Sequence, residues 1–309
     1  GGSLSTANTI TPTKHIAELE SIRGLAALLV ALFHAPGWYP QKQFIPIIAN
    51  GYLMVDLFFV ISGYVITLNL TKSQGSLKEK LTKFYLRRAK RILPSSLVVV
   101  IFTALLTKLF LAPIYQPRFR IDALWSSLMG ANIGFGFHGL DYLQATTAPS
   151  PFLHYWSLGV EEQFYIVWPL LFFTLIALRN RKTFIYLLPA AILIALVTTA
   201  YFPVFSFYLP TSRAFQFLFG AGLAIGISAK KNRNLIAAIG WIGIIASALL
   251  IPDNIANPNR FSLIPTVSTA LVIFSNSKLF TFKTLQYIGE LSFTLYLVHW
   301  PIILFFGKG

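Results

Sequence analysis

The sequence predicts an all-α fold, a polytopic bundle of about nine or ten transmembrane helices with a cytoplasmic N-terminus. Three observations lead to this prediction. Hydrophobic residues make up 55% of the 309 residues and charged residues only 11%, against roughly 25% charged residues in ordinary soluble domains. Long apolar stretches recur along the chain. Basic residues are distributed unevenly between them. A surface of this composition requires lipid rather than water alone.

Nine apolar stretches approach the roughly 20 residues that a helix needs to cross a bilayer core. Backbone polar groups in lipid must be satisfied within the segment or in a closed barrel, so long runs without alternation predict helices. Polar residues or prolines shorten some of the stretches. The predicted spans cover residues 17–36, 51–70, 94–114, 157–178, 183–202, 212–229, 235–251, 262–275 and 286–306.

The net charge of +15 follows the predicted topology. With the N-terminus placed in the cytoplasm, the cytoplasmic segments hold 17 basic residues and the outer segments hold four. This asymmetry is the positive-inside pattern, and anionic lipid accounts for it. The basic balance therefore indicates membrane lipid as a partner and excludes nucleic acid.

Residues 1–13 are excluded from the predicted transmembrane domain. The first three, Gly-Gly-Ser without a methionine, resemble an expression remnant. The transmembrane domain is expected to cover 14–309. Within it, residues 72–93 interleave basic and apolar side chains and predict a basic amphipathic helix on the cytoplasmic surface that ends at Pro94. Residues 113–156 form a long outer loop that either folds into a partial lid or acceptor platform or only covers the bundle.

The chain has no cysteine, which excludes a thiolate nucleophile, a disulfide and a Cys-type metal site. No other metal-ligand cluster is present, and we expect no bound cofactor. Chemistry must come from histidine, carboxylate, hydroxyl and arginine groups. An ionisable residue inside a span costs roughly 2.5–3.5 kcal/mol or more unless it faces a polar interior. Nine such residues occur, and most of them are expected to face a shared polar cavity: Glu20, Arg23, His34, Asp56, Glu161, Glu162, Arg213, Glu290 and His299.

Arg23 and His34 are eleven residues apart in the first span. Eleven helical steps return to within about 20° of the starting direction and rise roughly 16 Å, so both side chains lie on one face with Arg23 nearer the cytoplasm. The guanidinium could hold an anionic donor while the imidazole activates a hydroxyl. Histidine suits the general-base role because its ordinary pKa is about 6.5.

Glu161 and Glu162 open the fourth span, where one carboxylate suits a helix N-terminus. The other, for which Glu162 is favoured, shares a face with Tyr165 three residues on. We expect Glu162 to orient His34 or an acceptor hydroxyl.

Three further residues are assigned supporting roles near the acceptor. Asp56 is interpreted as the buried partner of an arginine rather than as a catalyst. His154 precedes the fourth span and is a candidate for contact with the acceptor. His299 either packs at the outer interface beside Trp300 or lines the site.

Five motifs occur in order along the chain, and the fourth is the most specific. They are Glu20-Ser21-Ile22-Arg23-Gly24-Leu25 followed by His34, residues 55–64, residues 84–94 with Arg-x-x-Arg at Arg88 and Arg91, residues 149–165, and residues 292–301. Together they resemble the signatures of the acyltransferase-3 family of membrane acyltransferases. The resemblance covers about 16–302, nearly the whole chain.

The resemblance implies transfer of an acyl group, usually acetyl from acetyl-CoA as donor substrate, to a hydroxyl of a cell-surface or periplasmic glycan such as a lipopolysaccharide O-antigen. It also implies a bacterial inner (cytoplasmic) membrane location. His34 would be the catalytic residue with Arg23 as an essential partner, and Glu162 completes the expected catalytic set. Arg88 and Arg91 would meet the donor together with Arg23, and Arg213 is grouped with them.

Family members with a stretch like 149–154 often continue into an outer esterase-like domain, which we expect as a missing partner here. A transporter or flippase for a lipid-linked sugar or small molecule is the alternative function, because polar groups in a bundle mark either a pathway or an active site. Transporters commonly show repeated halves, which this sequence does not. A third hypothesis, that the protein is only a membrane anchor, leaves the intramembrane ionisable residues unexplained.

Overall fold

The computed structural model describes residues 17–35, 45–138, 149–177, 181–225, 228–251 and 258–307, with the backbone alone for 181–185. Within these ranges every regular element is helical, so the all-α prediction is confirmed. The segment 1–13 lies outside them. Apart from short 3-10 turns, the helices are α1 (Ala17–His34), α2 (Pro46–Ala49), α3 (Met54–Thr71), α4 (Leu77–Phe110), α5 (Gln116–Ser127), α6 (Ala131–Phe137), α7 (Tyr155–Ala177), α8 (Arg181–Tyr201), α9 (Pro203–Tyr208), α10 (Pro210–Ala224), α11 (Arg233–Leu250), α12 (Leu263–Ser275) and α13 (Lys283–Phe306).

Five helical segments are long and apolar enough to cross a membrane. They are α4, α7, α11, α13 and the segment Gly51–Thr71 that contains α3. The apolar part of α8 and the segment Arg260–Ser275 containing α12 are shorter. Each of the nine predicted stretches falls on a helix, and the chain is a multi-pass membrane protein. The count of nine or ten spans and the cytoplasmic N-terminus stay predictions.

One face of α4 consists of exposed apolar side chains. Val98 and Ile101 are 65% and 68% exposed, and Leu109 is 65% exposed. A continuous apolar surface of this kind is unfavourable in water, whereas lipid tails accommodate it without cost. We therefore assign this face of α4 to lipid.

Helix α4 also corrects one prediction. It begins with a capping box, in which the Ser76 hydroxyl accepts from the Glu79 N–H and the Glu79 carboxylate accepts from the Ser76 N–H. It then runs through Pro94 to Phe110. The predicted helix end at Pro94 is therefore wrong, whereas the location of the basic segment at the cytoplasmic surface stays a prediction. Proline removes one backbone hydrogen bond, but ending the helix inside the membrane would leave more backbone polar groups without hydrogen-bond partners. The basic segment is thus continuous with the third predicted span.

Helices α1 and α13 cross in close contact. A Cβ added to Gly24 would collide with the backbone of α13, and one added to Gly289 would collide with the backbone of α1. Glycines at a crossing allow two backbones to approach closely. Ten residues further along each helix, the rings of His34 and His299 meet. The two helices therefore run parallel, and their C-terminal ends lie together.

Helices α3 and α10 repeat this arrangement. Gly63 and Gly220 each press against the backbone of the other helix. Seven residues before each glycine, Asp56 and Arg213 form an ion pair. This second parallel pair thus holds a buried ion pair.

The long connection 113–156 contains helices of its own, α5 and α6, while residues 139–148 lie outside the described part of the chain. Helix α6 docks on α7 through a reciprocal amide pair. The Asn132 amide donates to Gln163 at 3.2 Å, and the Gln163 amide donates back at 2.9 Å. The connection is thus more than a tether, as expected, and its outer location stays a prediction.

Candidate active site

A pocket with a cavity volume of about 120 Å³ lies between α1, α3, α4, α7 and α13. Three arginines, a carboxylate and several hydroxyl groups line this pocket among phenylalanine and aliphatic side chains. The convergence of charged groups on one apolar cavity makes it the candidate active site.

The arginines of the pocket are Arg23, Arg88 and Arg91. One Arg23 nitrogen donates to both carboxylate oxygens of Glu20, at 3.0 and 3.2 Å. The Arg88 guanidinium lies over the Tyr165 ring, 3.9 Å from its centroid, which is within cation–π range. The structure therefore brings all three predicted donor-binding residues from α1 and α4 to one cavity.

Glu161 is the carboxylate that lines this pocket. One of its oxygens accepts hydrogen bonds from the hydroxyls of Ser62 and Tyr165. Tyr165 is four residues further along α7, so one helix turn brings the two side chains together. These bonds fix the carboxylate beside the arginines of α4.

His34 and His299 meet at the C-terminal ends of α1 and α13. The His299 Nε2 atom lies 3.2 Å from the His34 Nδ1 atom. The His299 Nδ1 atom faces the Tyr296 carbonyl oxygen at 2.7 Å, and the His34 Nδ1 atom faces the Val30 carbonyl oxygen at 2.9 Å. A carbonyl oxygen can only accept, so in the neutral rings both Nδ1 atoms carry the proton. The basic nitrogen of His34 is then Nε2.

The histidine pair is enclosed by aromatic side chains. The Trp300 ring contacts His34 edge-on, with centroids 4.9 Å apart, and its indole N–H donates to the Ser150 carbonyl at 2.8 Å. The His154 ring lies 5.8 Å from that of His299. His154 is buried and its Nε2 atom faces the Leu297 carbonyl oxygen. The structure therefore brings His299 into contact with His34 and His154 into contact with His299, and contact of His154 with the acceptor stays a prediction.

Tyr296 lies between the pocket and the histidines. Its side chain lines the pocket, while its ring centroid is 5.5 Å from that of His299. The Tyr296 hydroxyl donates to the His154 carbonyl oxygen at 2.6 Å and is hydrogen-bonded to the Ser157 hydroxyl. The cavity thus extends from the arginines to Tyr296, one helix turn short of His299.

A cavity with arginines at one end and a histidine pair beyond the other combines the features expected for acyl transfer. The family comparison agrees, because residues 16–309 match the family model described as "Acyltransferase domain". The chain belongs to the acyltransferase-3 family.

Curated relatives of this acyltransferase-3 chain carry related names. It is 28% identical to the peptidoglycan O-acetyltransferase OatA of Listeria monocytogenes, over 94% of the chain and 50% of that protein. It is 27% identical to the putative peptidoglycan O-acetyltransferase YrhL of Bacillus subtilis, over 94% of the chain and 49% of that protein. It is also 27% identical to the O-acetyltransferase OatA of Staphylococcus aureus, over 94% of the chain and 51% of that protein. The chain spans about half the length of these relatives. No solved structure gives a significant match.

The structure corrects the role predicted for Glu162 in this acyltransferase-3 chain. Glu162 lies within electrostatic range of Arg88 and Glu161. The hydroxyl of Tyr165 bonds to Glu161 instead of Glu162. The His34 ring is oriented by a backbone carbonyl and by a second histidine. Glu161 therefore replaces Glu162 as the candidate site carboxylate.

Arg213 is also corrected as a donor-binding residue. One of its nitrogens donates to Asp56 at 3.0 Å, and each side chain is only 1% exposed. Its Nε atom donates to the Phe207 carbonyl, and the guanidinium lies over the Trp156 ring. A donor cannot reach a guanidinium enclosed in this way. The prediction that Asp56 is the buried partner of an arginine is confirmed.

Four hydroxyl residues of the site were not predicted, namely Ser62, Ser157, Ser292 and Tyr296. A signal for the last two exists in the sequence, because Ser292, Tyr296 and His299 are spaced by four and three residues on one helix. Such spacing places side chains on one face. Ser62 and Ser157 carry no comparable signal, since their roles depend on contacts between separate helices.

Proposed function

We propose that this protein transfers an acyl group, most simply acetyl, from cytoplasmic acyl-CoA across the membrane to a hydroxyl of a cell-surface glycan. The observation that carries the proposal is one cavity that three arginines line, with a histidine pair one helix turn beyond Tyr296 in its wall. Family membership supports the reaction class. The names of the relatives support peptidoglycan as the acceptor, in preference to a lipopolysaccharide O-antigen.

The arginine end of the pocket suits the donor. CoA carries several phosphate groups on its nucleotide, and arginine presents a fork of donors that matches phosphate oxygens. Arg91 is exposed, Arg88 and Arg23 are partly buried, and all three line the cavity. The neutral arm of the donor would then lie along the apolar part of the pocket toward Tyr296.

The histidine end suits the chemistry. The His34 Nε2 atom takes the proton of an acceptor hydroxyl while that hydroxyl oxygen attacks the thioester carbonyl carbon. The carbon–sulfur bond breaks, and the imidazolium returns the proton to the departing thiolate. An O-acyl ester and free CoA result without a redox partner or a resident cofactor. His299 acts as a positioning residue, because it accepts from His34 Nδ1–H and keeps the basic nitrogen on Nε2.

The topology we propose has nine spans with the N-terminus in the cytoplasm, in a bacterial inner membrane. Helices α1 and α13 are the first and ninth spans of that order, and α3 and α10 are the second and sixth. Both pairs run parallel, as they must when an odd number of spans lies between the two partners. The excess of basic residues on the cytoplasmic side supports the direction.

The chain spans about half the length of its relatives. We propose that an outer domain of the esterase-like type expected from the sequence assists delivery to the glycan. Helices α5 and α6, docked on α7, offer a surface on the proposed outer side where such a domain or the acceptor can bind.

The test is transfer of label. The protein is reconstituted in vesicles and supplied with radiolabelled acetyl-CoA on one side and peptidoglycan fragments on the other. Label on the fragments supports the proposal, and label on the protein alone indicates a covalent acyl intermediate. Absence of both donor binding and transfer, with the outer half of the longer relatives fused to the chain, would favour the transporter alternative.

A further inference from the structure

Helix α13 presents a row of polar side chains to the candidate site. Beyond the crossing at Gly289 come Ser292, Tyr296 and His299, spaced by four and three residues. Ser292 and Tyr296 line the pocket, and His299 contacts His34. The same face of α13 therefore follows the path from the cavity to the histidine pair.

Ser292 has an unsatisfied hydroxyl on this path. The residue is only 1% exposed, and its Oγ atom has no hydrogen-bond partner in the described part of the chain. A buried hydroxyl without a partner is unfavourable, and native proteins contain few of them. Because this hydroxyl borders a cavity, a bound molecule can supply the missing partner.

The surroundings indicate the chemistry of that molecule. The pocket wall includes Phe58, Phe59 and Phe293, which suit the methylene groups of a neutral chain. Its charged groups are Arg23, Arg88, Arg91 and Glu161. A ligand that fits both parts has an anionic end and a long neutral arm with occasional hydrogen-bonding groups.

We propose that Ser292 is a binding residue for the amide-containing arm of the acyl donor. This inference rests on the proposed function, in which acyl-CoA occupies the pocket. The arm of CoA contains two amides between the nucleotide and the sulfur, and a serine hydroxyl can donate to an amide oxygen or accept from an amide N–H. Ser292 thereby holds the arm one turn before Tyr296, with the thioester directed toward His34.

The experiment compares two ligands on two variants of the purified protein. CoA contains the arm, whereas adenosine 3′,5′-bisphosphate retains anionic phosphates and lacks it. Ser292→Ala is expected to weaken CoA about 3- to 10-fold, as loss of one hydrogen bond does, and to leave the affinity for the bisphosphate unchanged. Ser212→Ala is the matched control. Ser212 is likewise buried, and its hydroxyl has no partner among the described residues. Unlike Ser292, Ser212 does not line the pocket.

The outcomes separate the proposals. Unchanged CoA affinity in Ser292→Ala overturns the role of Ser292 and leaves the proposed function standing. An equal loss for both ligands also overturns it, because the effect would then arise in the fold or at the arginines. Failure of the unmodified protein to bind either ligand overturns the proposed function and the subsite together.

Discussion

His34 and His299 are separated by 265 positions in the sequence, yet their Nδ1 and Nε2 atoms lie 3.2 Å apart. The contact follows from the glycine crossing of α1 and α13, ten residues earlier on both helices. Each ring has its Nδ1 atom against a main-chain carbonyl oxygen, so its orientation is set by its own helix. The pair is thus held rigidly, as a base that acts on a positioned hydroxyl requires.

Replacing His34 by alanine removes the proposed general base. We expect His34→Ala to lower acyl transfer by about 10²- to 10⁴-fold, with CoA affinity and thermal stability nearly unchanged, since His34 does not line the pocket. The measurement is single-turnover transfer from acetyl-CoA. His138→Ala serves as the control because His138 is exposed. Wild-type transfer by His34→Ala would remove the catalytic assignment.

Replacing His299 tests its action through His34. His299→Ala removes the side-chain acceptor of the His34 Nδ1–H and leaves only the Val30 carbonyl oxygen. It is expected to slow transfer about 10- to 100-fold, the usual range for an outer partner of a functional imidazole. His299→Gln offers a side-chain oxygen as acceptor and should restore part of the rate. A merely structural role predicts equal losses in both variants. The rate in each is compared at matched stability, measured by thermal unfolding.

Arg88 and Arg91 provide the test of the donor end. Arg88→Ala and Arg91→Ala are expected to weaken CoA binding, and the loss should shrink as salt rises because screening already weakens the charge interaction in the unmodified protein. Isothermal titration at two ionic strengths measures this. Lys78→Ala is the control, since Lys78 lies on the same helix, is exposed and does not line the pocket. Equal CoA affinity in all three variants and the unmodified protein would show that Arg88 and Arg91 do not bind the CoA nucleotide.

The sequence was sufficient for the helical class and for the residues whose signal lies within one helix. Apolar length identified the helices, and the spacing of Arg23 and His34 identified two ends of one face. The pairing of His34 with His299 could not be predicted in this way, because it depends on how two distant helices cross. The exchange of Glu162 for Glu161 has a similar origin. Adjacent residues of a helix point about 100° apart, and only the neighbouring helices decide which one faces the cavity.

Pro94 shows a different limit. Proline usually ends a helix because it lacks an N–H, so the local sequence predicts a boundary. In α4 the free-energy cost of one missing backbone hydrogen bond is smaller than the cost of interrupting the helix at the membrane. The tertiary environment therefore overrides a local signal.

The glycine crossing yields a prediction about the histidine pair. Gly24→Ala places a Cβ against the backbone carbonyl of Leu285, which cannot move aside as a side chain does. Helices α1 and α13 must separate, at a cost of about 1–3 kcal/mol for overpacking, and transfer should fall because the His34–His299 contact lengthens. Gly136→Ala is the control, since its Cβ would meet the Phe205 ring at 3.0 Å, a side chain able to shift. Unfolding temperature and transfer rate are measured for both. Full activity in Gly24→Ala would show that the crossing does not position the histidines.

The last prediction separates a structural arginine from a donor-binding one. Asp56→Ala leaves the Arg213 guanidinium buried without its carboxylate, which typically costs about 3–5 kcal/mol. The double replacement Asp56→Leu with Arg213→Met removes both charges and should recover much of that stability, because no uncompensated ion remains. Thermal unfolding in one detergent measures the cycle, and CoA binding is titrated at a temperature where each variant is folded. We expect CoA affinity to stay within twofold in the double variant, since neither side chain lines the pocket. A loss of CoA affinity well beyond twofold in the folded double variant would instead indicate that Arg213 contributes to donor binding.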